Sequence, residues 1–319
     1  MTFILLLLGF VLLIKGAEWL VSGATAIASR LGISDLVIGL TIVSMGTSMP
    51  ELIISVIASV NGSSGLATGN VFGSNIANVL LILGATAVIC DLPVQRSTIL
   101  SELPFSLAAA LLIGFLANSA LWYEPSNDLN ISRGDGMIIL FFFFLFLAYI
   151  LVLTKDGQNK ADLSDAPPVP MAKNLLLIAA GIAGLFLGGK WVVDGAVHIA
   201  GLFGLSETLI GLTVVALGTS LPEMVTSIMA ALKKNTDIAV GNAIGSNIFN
   251  LLWILGVSAV INPLPFNVAS NVDILAVIAS SCMVLLALII GRRLVIKRAE
   301  GIVFLAVYAV YLIFVVMRG

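Results

Sequence analysis

Long apolar segments follow one another almost without pause along this chain, and no other feature constrains its fold as strongly. Ten run over about residues 2–28, 36–60, 66–90, 97–118, 135–153, 173–200, 208–232, 238–261, 272–291 and 300–317. An apolar stretch of about 18 residues with few charges is long enough to cross a bilayer as a helix. Helices satisfy their own backbone hydrogen bonds there, which irregular chain cannot do. The chain is 60% hydrophobic and 10% charged, whereas roughly a quarter of the residues in soluble domains are charged. The expected class is an all-α integral membrane protein with ten transmembrane helices, its main surroundings the lipid bilayer.

Several functions are disfavoured at once. No basic tract suggests nucleic acid, and nucleotide, haem and hydrolase motifs are missing, so neither an enzyme nor a cofactor is expected. Cys90 and Cys282 have no CxxC spacing and no histidine pair nearby, which argues against a zinc site or a disulfide framework. The first apolar run lacks a basic leader region and continues past Lys15, so it reads as a first span, not a cleaved signal.

The chain is also duplicated. Trp19, Gly39, Glu51, Asn70 and Asn78 recur as Trp191, Gly211, Glu223, Asn242 and Asn250, each 172 residues later. Over Gly39–Gly84 against Gly211–Gly256, 23 of 46 positions are identical. Chance likeness between apolar helices would match Leu, Val and Ile, not Thr, Pro, Glu, Asn and Ser in register. The division is 1–153 for a first five-helix repeat, 154–172 for a Pro- and Asp-rich cytoplasmic linker, and 173–319 for a second repeat. Five spans per repeat is an odd number, so the second repeat enters from the opposite side, as in many secondary transporters. Lys and Arg placement sets the orientation. With both termini outside, eleven basic residues fall in inner loops and two, Arg133 and Arg318, fall outside.

Each repeat carries one costly hexapeptide inside an apolar span: "GTSMPE" at Gly46–Glu51 and "GTSLPE" at Gly218–Glu223. Pro50 lacks a backbone donor and clashes with the preceding turn. The second span is therefore expected as two half-helices, the first ending near Met45–Gly46 and the second starting near Pro50, a favoured first-turn position. The seventh is expected to break likewise. The break frees carbonyl oxygens beside a glutamate and the hydroxyls of Thr47 and Ser48. Such a cluster of hard oxygens suits calcium, magnesium, manganese or sodium.

The following spans add a polar stripe. Asn70, Ser74 and Asn78 stand at i, i+4 and i+8, as do Asn242, Ser246 and Asn250. Gly69, Gly73, Gly241 and Gly245 supply small-residue spacing that lets helices approach, and read as packing. Two carboxylates and one backbone carbonyl from each break, those of Thr47 and Thr219, offer six oxygens, within the number calcium takes. Two carboxylates held together also repel unless a cation or a proton intervenes. Calcium, sodium ions or protons can each fill the site, but not all together.

With these residues in view, the chain resembles the calcium/cation antiporter superfamily and, within it, the sodium/calcium exchangers of prokaryotic type. The resemblance rests on the two hexapeptides and on the "GNVFGSNIANVL" and "GNAIGSNIFNLL" that follow. It implies two inverted five-helix repeats with broken helices 2 and 7, and Glu51 and Glu223 as calcium ligands with the carbonyls of Thr47 and Thr219. It also implies sodium sites at Ser48, Ser74, Ser220, Ser246 and the backbone oxygens of Ser44 and Ala216, with Asn78 and Asn250 completing the centre. Calcium/proton exchangers of the superfamily carry Gly-Asn where this chain has Gly-Thr-Ser, which favours sodium coupling. Potassium-dependent relatives carry Asp where Asn250 stands, which argues against potassium dependence. The implied activity is electrogenic calcium extrusion across the cell membrane, with Ca2+ and Na+ as transported ligands and no obligate protein partner.

Other readings stand beside it. Calcium/proton antiport keeps the same ligands, and a divalent-cation channel would use the same oxygens. The glutamates could pair with a lysine, but Lys15 and Lys190 have closer neighbours in Glu18 and Asp194, the latter pair at i, i+4. The Asn and Ser stripes could be interhelical glue.

Overall fold

The computed structural model describes residues 2–62, 64–119, 129–158, 170–203, 216–290 and 294–318. Among them are eight helices long and apolar enough to cross a membrane: Ile4–Leu31, Gly65–Ile89, Arg96–Ala117, Arg133–Thr154, Met171–Ile199, Thr236–Ile261, Val268–Ile289 and Arg298–Arg318. A ninth candidate is the pair Asp35–Thr47 and Met49–Val60, bent by 49° at its junction. The expected span 208–232 is described only from Ala216 onward, as the helices Ala216–Thr219 and Leu221–Leu232. Gly211 lies outside the described residues, as does most of the expected linker. The helix that opens at Arg133 runs on to Gln158, so the first residues assigned to the linker, from Thr154, are helical, while the candidate span ends at Thr154. The protein is an all-α, multi-pass membrane protein.

The two longest helices, Thr2–Leu31 and Met171–Leu202, lie against each other. A Cβ built on Gly9 would sit 2.9 Å from the Gly188 carbonyl, one on Gly16 2.9 Å from that of Gly181, and one on Gly23 2.9 Å from that of Asn174. Residue numbers rise on one helix as they fall on the other, so the pair is antiparallel. Small residues let backbones meet, and in a bilayer this contact replaces the hydrophobic drive. Gly9, Gly16 and Gly23 recur 172 residues on as Gly181, Gly188 and Gly195, so a stripe of period seven pairs with its own copy.

Two minimal strand pairs stand among the helices. Leu92–Pro93 pairs antiparallel with Val295–Ile296, and Asn130–Ile131 pairs antiparallel with Leu264–Pro265. Leu92–Pro93 and Leu264–Pro265 are again 172 apart. Among the described residues three stretches wind as π-helix: Gly39–Val43, Ala77–Leu83 and Phe249–Ile254. π-turns inside α-helices are rare and gather at functional sites. Two of these three contain the last residues of the polar stripes, Asn78 and Asn250, and the third directly precedes Ser44.

Candidate ion-binding site

The break in the second span is shorter than the sequence predicts. The first half-helix continues through Thr47, Ser48 alone leaves helical geometry (φ −81°, ψ 10°), and the second half starts at Met49. The reason is local. The Ser48 N–H still reaches the Ser44 carbonyl at 3.0 Å, and the Leu52 N–H reaches that of Ser48 at 3.1 Å. Pro50 falls in the first turn of the new helix, where its missing donor costs little. The helix therefore kinks at one residue. Ser220 repeats this with φ −85° and ψ 3°, between Ala216–Thr219 and Leu221–Leu232.

Glu51 and Glu223 both stand in the first turn after the kink, where the helix dipole tolerates a carboxylate. Each is 1% exposed, and they lie close enough for their charges to interact. The two halves interlock around them. The Ser48 hydroxyl donates to Glu223 Oε1 at 2.8 Å, and the Thr47 hydroxyl donates to Asn242 Oδ1 at 3.1 Å. Asn242 Nδ2 donates to the Glu223 carbonyl at 3.2 Å and to Ser227 Oγ at 2.9 Å. Asn70 Nδ2 does the same for the Glu51 carbonyl at 3.3 Å and Ser55 Oγ at 3.0 Å. Each asparagine thus clasps the first turn of a kinked helix to its neighbour.

The remaining expected residues divide. Asn78 Nδ2 donates to Asn247 Oδ1 at 3.0 Å, while Asn250 has neither amide atom hydrogen-bonded among the described residues. Ser246 and Ser220 are buried with no partner for their hydroxyls. Ser44 lies under Gly245, whose added Cβ would sit 2.8 Å from Ser44 Oγ. The Ser44 carbonyl accepts from the Ser48 N–H at 3.0 Å and lies 3.2 Å from Thr47 Oγ1, as an alternative acceptor for that hydroxyl. Ser74 and Thr219 line a common cavity. Ala216 opens a short described helix, and only its backbone is described.

Buried oxygens without a donor mark where a cation would be welcome, because an unpaired buried polar atom is costly. Among the described residues both Glu51 oxygens, Glu223 Oε2, Asn78 Oδ1, Asn250 Oδ1, Ser220 Oγ and Ser246 Oγ are such atoms. Among the described residues no group of three or more His, Cys, Asp and Glu forms a metal site. The charge is that of two carboxylates, and the other oxygens are neutral. That set fits a hard cation and offers nothing to a soft one.

Ser55 and Ser227, Asn75 and Asn247 belong to the same constellation and are missing from the sequence-based ligand set. All four are identical across the repeat, and the serines stand one helical turn beyond each glutamate. Identity at polar positions was the signal. The Lys190–Asp194 pair is a correction. Among the described residues no ion pair forms between them, both are exposed, and both face a cavity of about 220 Å3 with Pro50, Thr219 and Pro222. Gly69 and Gly73 are a second correction. A Cβ added at either meets nothing within 4 Å among the described residues, so they line open space, whereas Gly241 and Gly245 pack.

Kinked acidic helices clasped together inside a bundle of apolar spans define a multi-pass membrane protein built around a buried, oxygen-rich centre. The family described as sodium/calcium exchanger protein matches residues 1–152 and 173–317. The chain belongs to that family, whose members are transporters and not enzymes. It is 34% identical to the sodium/calcium exchanger MaX1 of Methanosarcina acetivorans over 98% of this chain and 97% of that one. It is 39% identical to the inner membrane protein YrbG of Escherichia coli over 81% of this chain and 79% of that one. Its fold superposes on the sodium-calcium exchanger NCX_Mj with a TM-score of 0.80 at 33% identity, over 97% of both chains.

Proposed function

We propose that this protein exchanges Na+ for Ca2+ across the cell membrane by alternating access, extruding calcium electrogenically. The observation that carries the proposal is the pair of buried glutamates, one from each kinked helix, with three of their four oxygens lacking a hydrogen-bond donor among the described residues. Ca2+ would lie between Glu51 and Glu223, aided by the carbonyls of Thr47 and Thr219. Na+ would be held by Ser48, Ser74, Ser220, Ser246 and the backbone oxygens of Ser44 and Ala216, with Asn78 and Asn250 beside the centre. The two carboxylates balance one divalent ion. Sodium ions filling the flanking oxygens would compete for the same charge, and that competition is the basis of counter-transport.

Ten helices in two inverted repeats, 1–153 and 173–319 joined by a cytoplasmic linker 154–172, complete this reading. The antiparallel course of the two lead helices supports it. So do the strand pairs that involve Leu92–Pro93 and Leu264–Pro265. With both termini outside, the cavity lined by Gly65, Gly69, Ser74 and Arg318 faces outward. The close contacts of Gly241 and Gly245 with Leu36 and Leu40 then close the cytoplasmic side.

Reconstituted flux tests the proposal. A sodium gradient should drive 45Ca2+ uptake into liposomes in strict counter-transport. Uptake driven by a pH gradient and indifferent to sodium would replace it with calcium/proton exchange, and uncoupled flux would make the protein a channel.

A further inference from the structure

One cavity holds charge that the exchange site does not use. It has a volume of about 280 Å3 and is lined by the glycines of the Gly65–Ile89 helix, by Thr219 and Ser74, and by the Arg298–Arg318 helix. Ser74 and Thr219 are 4% and 8% exposed, so this end is deep. Asp273 and Arg318 are the charged residues in the described lining. Arg318 Nη2 bonds Asp273 Oδ2 at 2.9 Å, with 36% of the arginine side chain exposed and 10% of the aspartate. An arginine at a helix end ordinarily extends its head into water. This one is tied down: Nη1 donates to the Ala269 carbonyl at 3.4 Å, and its guanidinium lies 5.6 Å from the Phe314 ring centre. Tyr311 adds a hydrogen bond to Asp273 Oδ1 at 3.3 Å. The pair has no copy in the other repeat, where Ser101 and Phe146 stand 172 residues earlier.

We propose that Asp273 and Arg318 form a charge filter at the mouth of this cavity, with Asp273 cancelling a guanidinium that would otherwise repel entering Ca2+. The inference rests on the exchange reading above. A cavity with low-dielectric walls focuses the field of any uncancelled charge. The Coulomb energy scales with the charge of the ion, so Ca2+ feels the filter about twice as strongly as Na+. A pair that only clamps two helix ends, partly exposed as this one is, would contribute little to anything but stability. The two roles differ in sign. For a filter, removing Asp273 and removing Arg318 have opposite effects on calcium entry. For a clamp, they have the same effect.

The test is Na+-driven 45Ca2+ uptake into right-side-out and inside-out vesicles, read as the half-saturating external Ca2+ and the maximal rate. In right-side-out vesicles Asp273→Asn should raise the half-saturating concentration about five- to tenfold. Arg318→Gln should lower it about threefold, and the double variant should return to within about twofold of the parent. Arg318→Lys keeps the charge and should behave as the parent, which separates charge from folding. High ionic strength should shrink every shift. Shifts of the same sign, shifts equal in both vesicle types, or a loss of maximal rate and thermal stability at unchanged half-saturation would overturn the filter. Parent vesicles that show no sodium-driven uptake would instead overturn the exchange reading.

Discussion

Ser48 and Ser220 occupy the same place in the two hexapeptides, yet Ser48 donates to Glu223 while the Ser220 hydroxyl has no partner among the described residues. The asymmetry extends outward from there. Glu223 has one oxygen held and Glu51 has none. Asn78 is paired and Asn250 is not. Asn242 is fully buried, and Asn70 is partly exposed and lines a cavity. Gly241 and Gly245 press on the Asp35–Thr47 helix, and Gly69 and Gly73 face open space. Two nearly identical stretches of sequence thus stand in two conditions, the second packed closed against the Asp35–Thr47 helix and the first facing a cavity, with unpartnered polar atoms left in both. In a duplicated transporter this is the expected form of one working state. The opposite state would exchange the roles of the halves.

The glutamates are where the halves should agree. Glu51→Gln and Glu223→Gln should each reduce sodium-driven calcium flux at least about 100-fold, because on the proposed reading each removes a charge that meets the ion. Unequal losses would mean that the halves share the ion unevenly. Thermal unfolding in detergent gives the matching equilibrium measure. Calcium at about 100 times its dissociation constant should stabilise the parent by about 2.7 kcal/mol, and either Gln variant should lose most of that.

The glycines should disagree, and in sign. Gly245→Ala would drive a methyl to 2.7 Å from the Leu40 carbonyl and should destabilise the protein by about 1–3 kcal/mol. Gly73→Ala meets nothing within 4 Å and should stabilise its helix by up to about 1 kcal/mol. Equal effects would erase the open–closed contrast. The serines give the smallest test. Ser48→Ala should cost about 1 kcal/mol by removing a bond to a buried carboxylate, and Ser220→Ala should leave the stability without calcium nearly unchanged. Both should weaken sodium dependence in flux, which keeps the stability difference separate from the role in transport.

Much of this was legible in the residues. Apolar segment length announced the membrane, since a bilayer leaves the backbone few options. The 172-residue offset announced two half-sites, and Pro beside Glu announced a kink with a charge at its start. Those features depend on spacing and local chemistry, which the chain carries within a few residues of each position. Even so, the break proved narrower than expected, because only Ser48 leaves helical geometry and the hydrogen bonds on either side of it survive.

What needed the tertiary structure was everything that joins residues far apart. The pairing of Ser48 with Glu223 spans 175 positions and that of Thr47 with Asn242 spans 195. Neither follows from a repeat that treats both copies alike. The same holds for the free oxygens of Glu51, the open face of Gly73 and the charge pair of Asp273 and Arg318. A duplicated sequence encodes two equivalent halves. Packing makes them inequivalent, because when one polar stripe seals against its partner helix, the other is left facing the cavity.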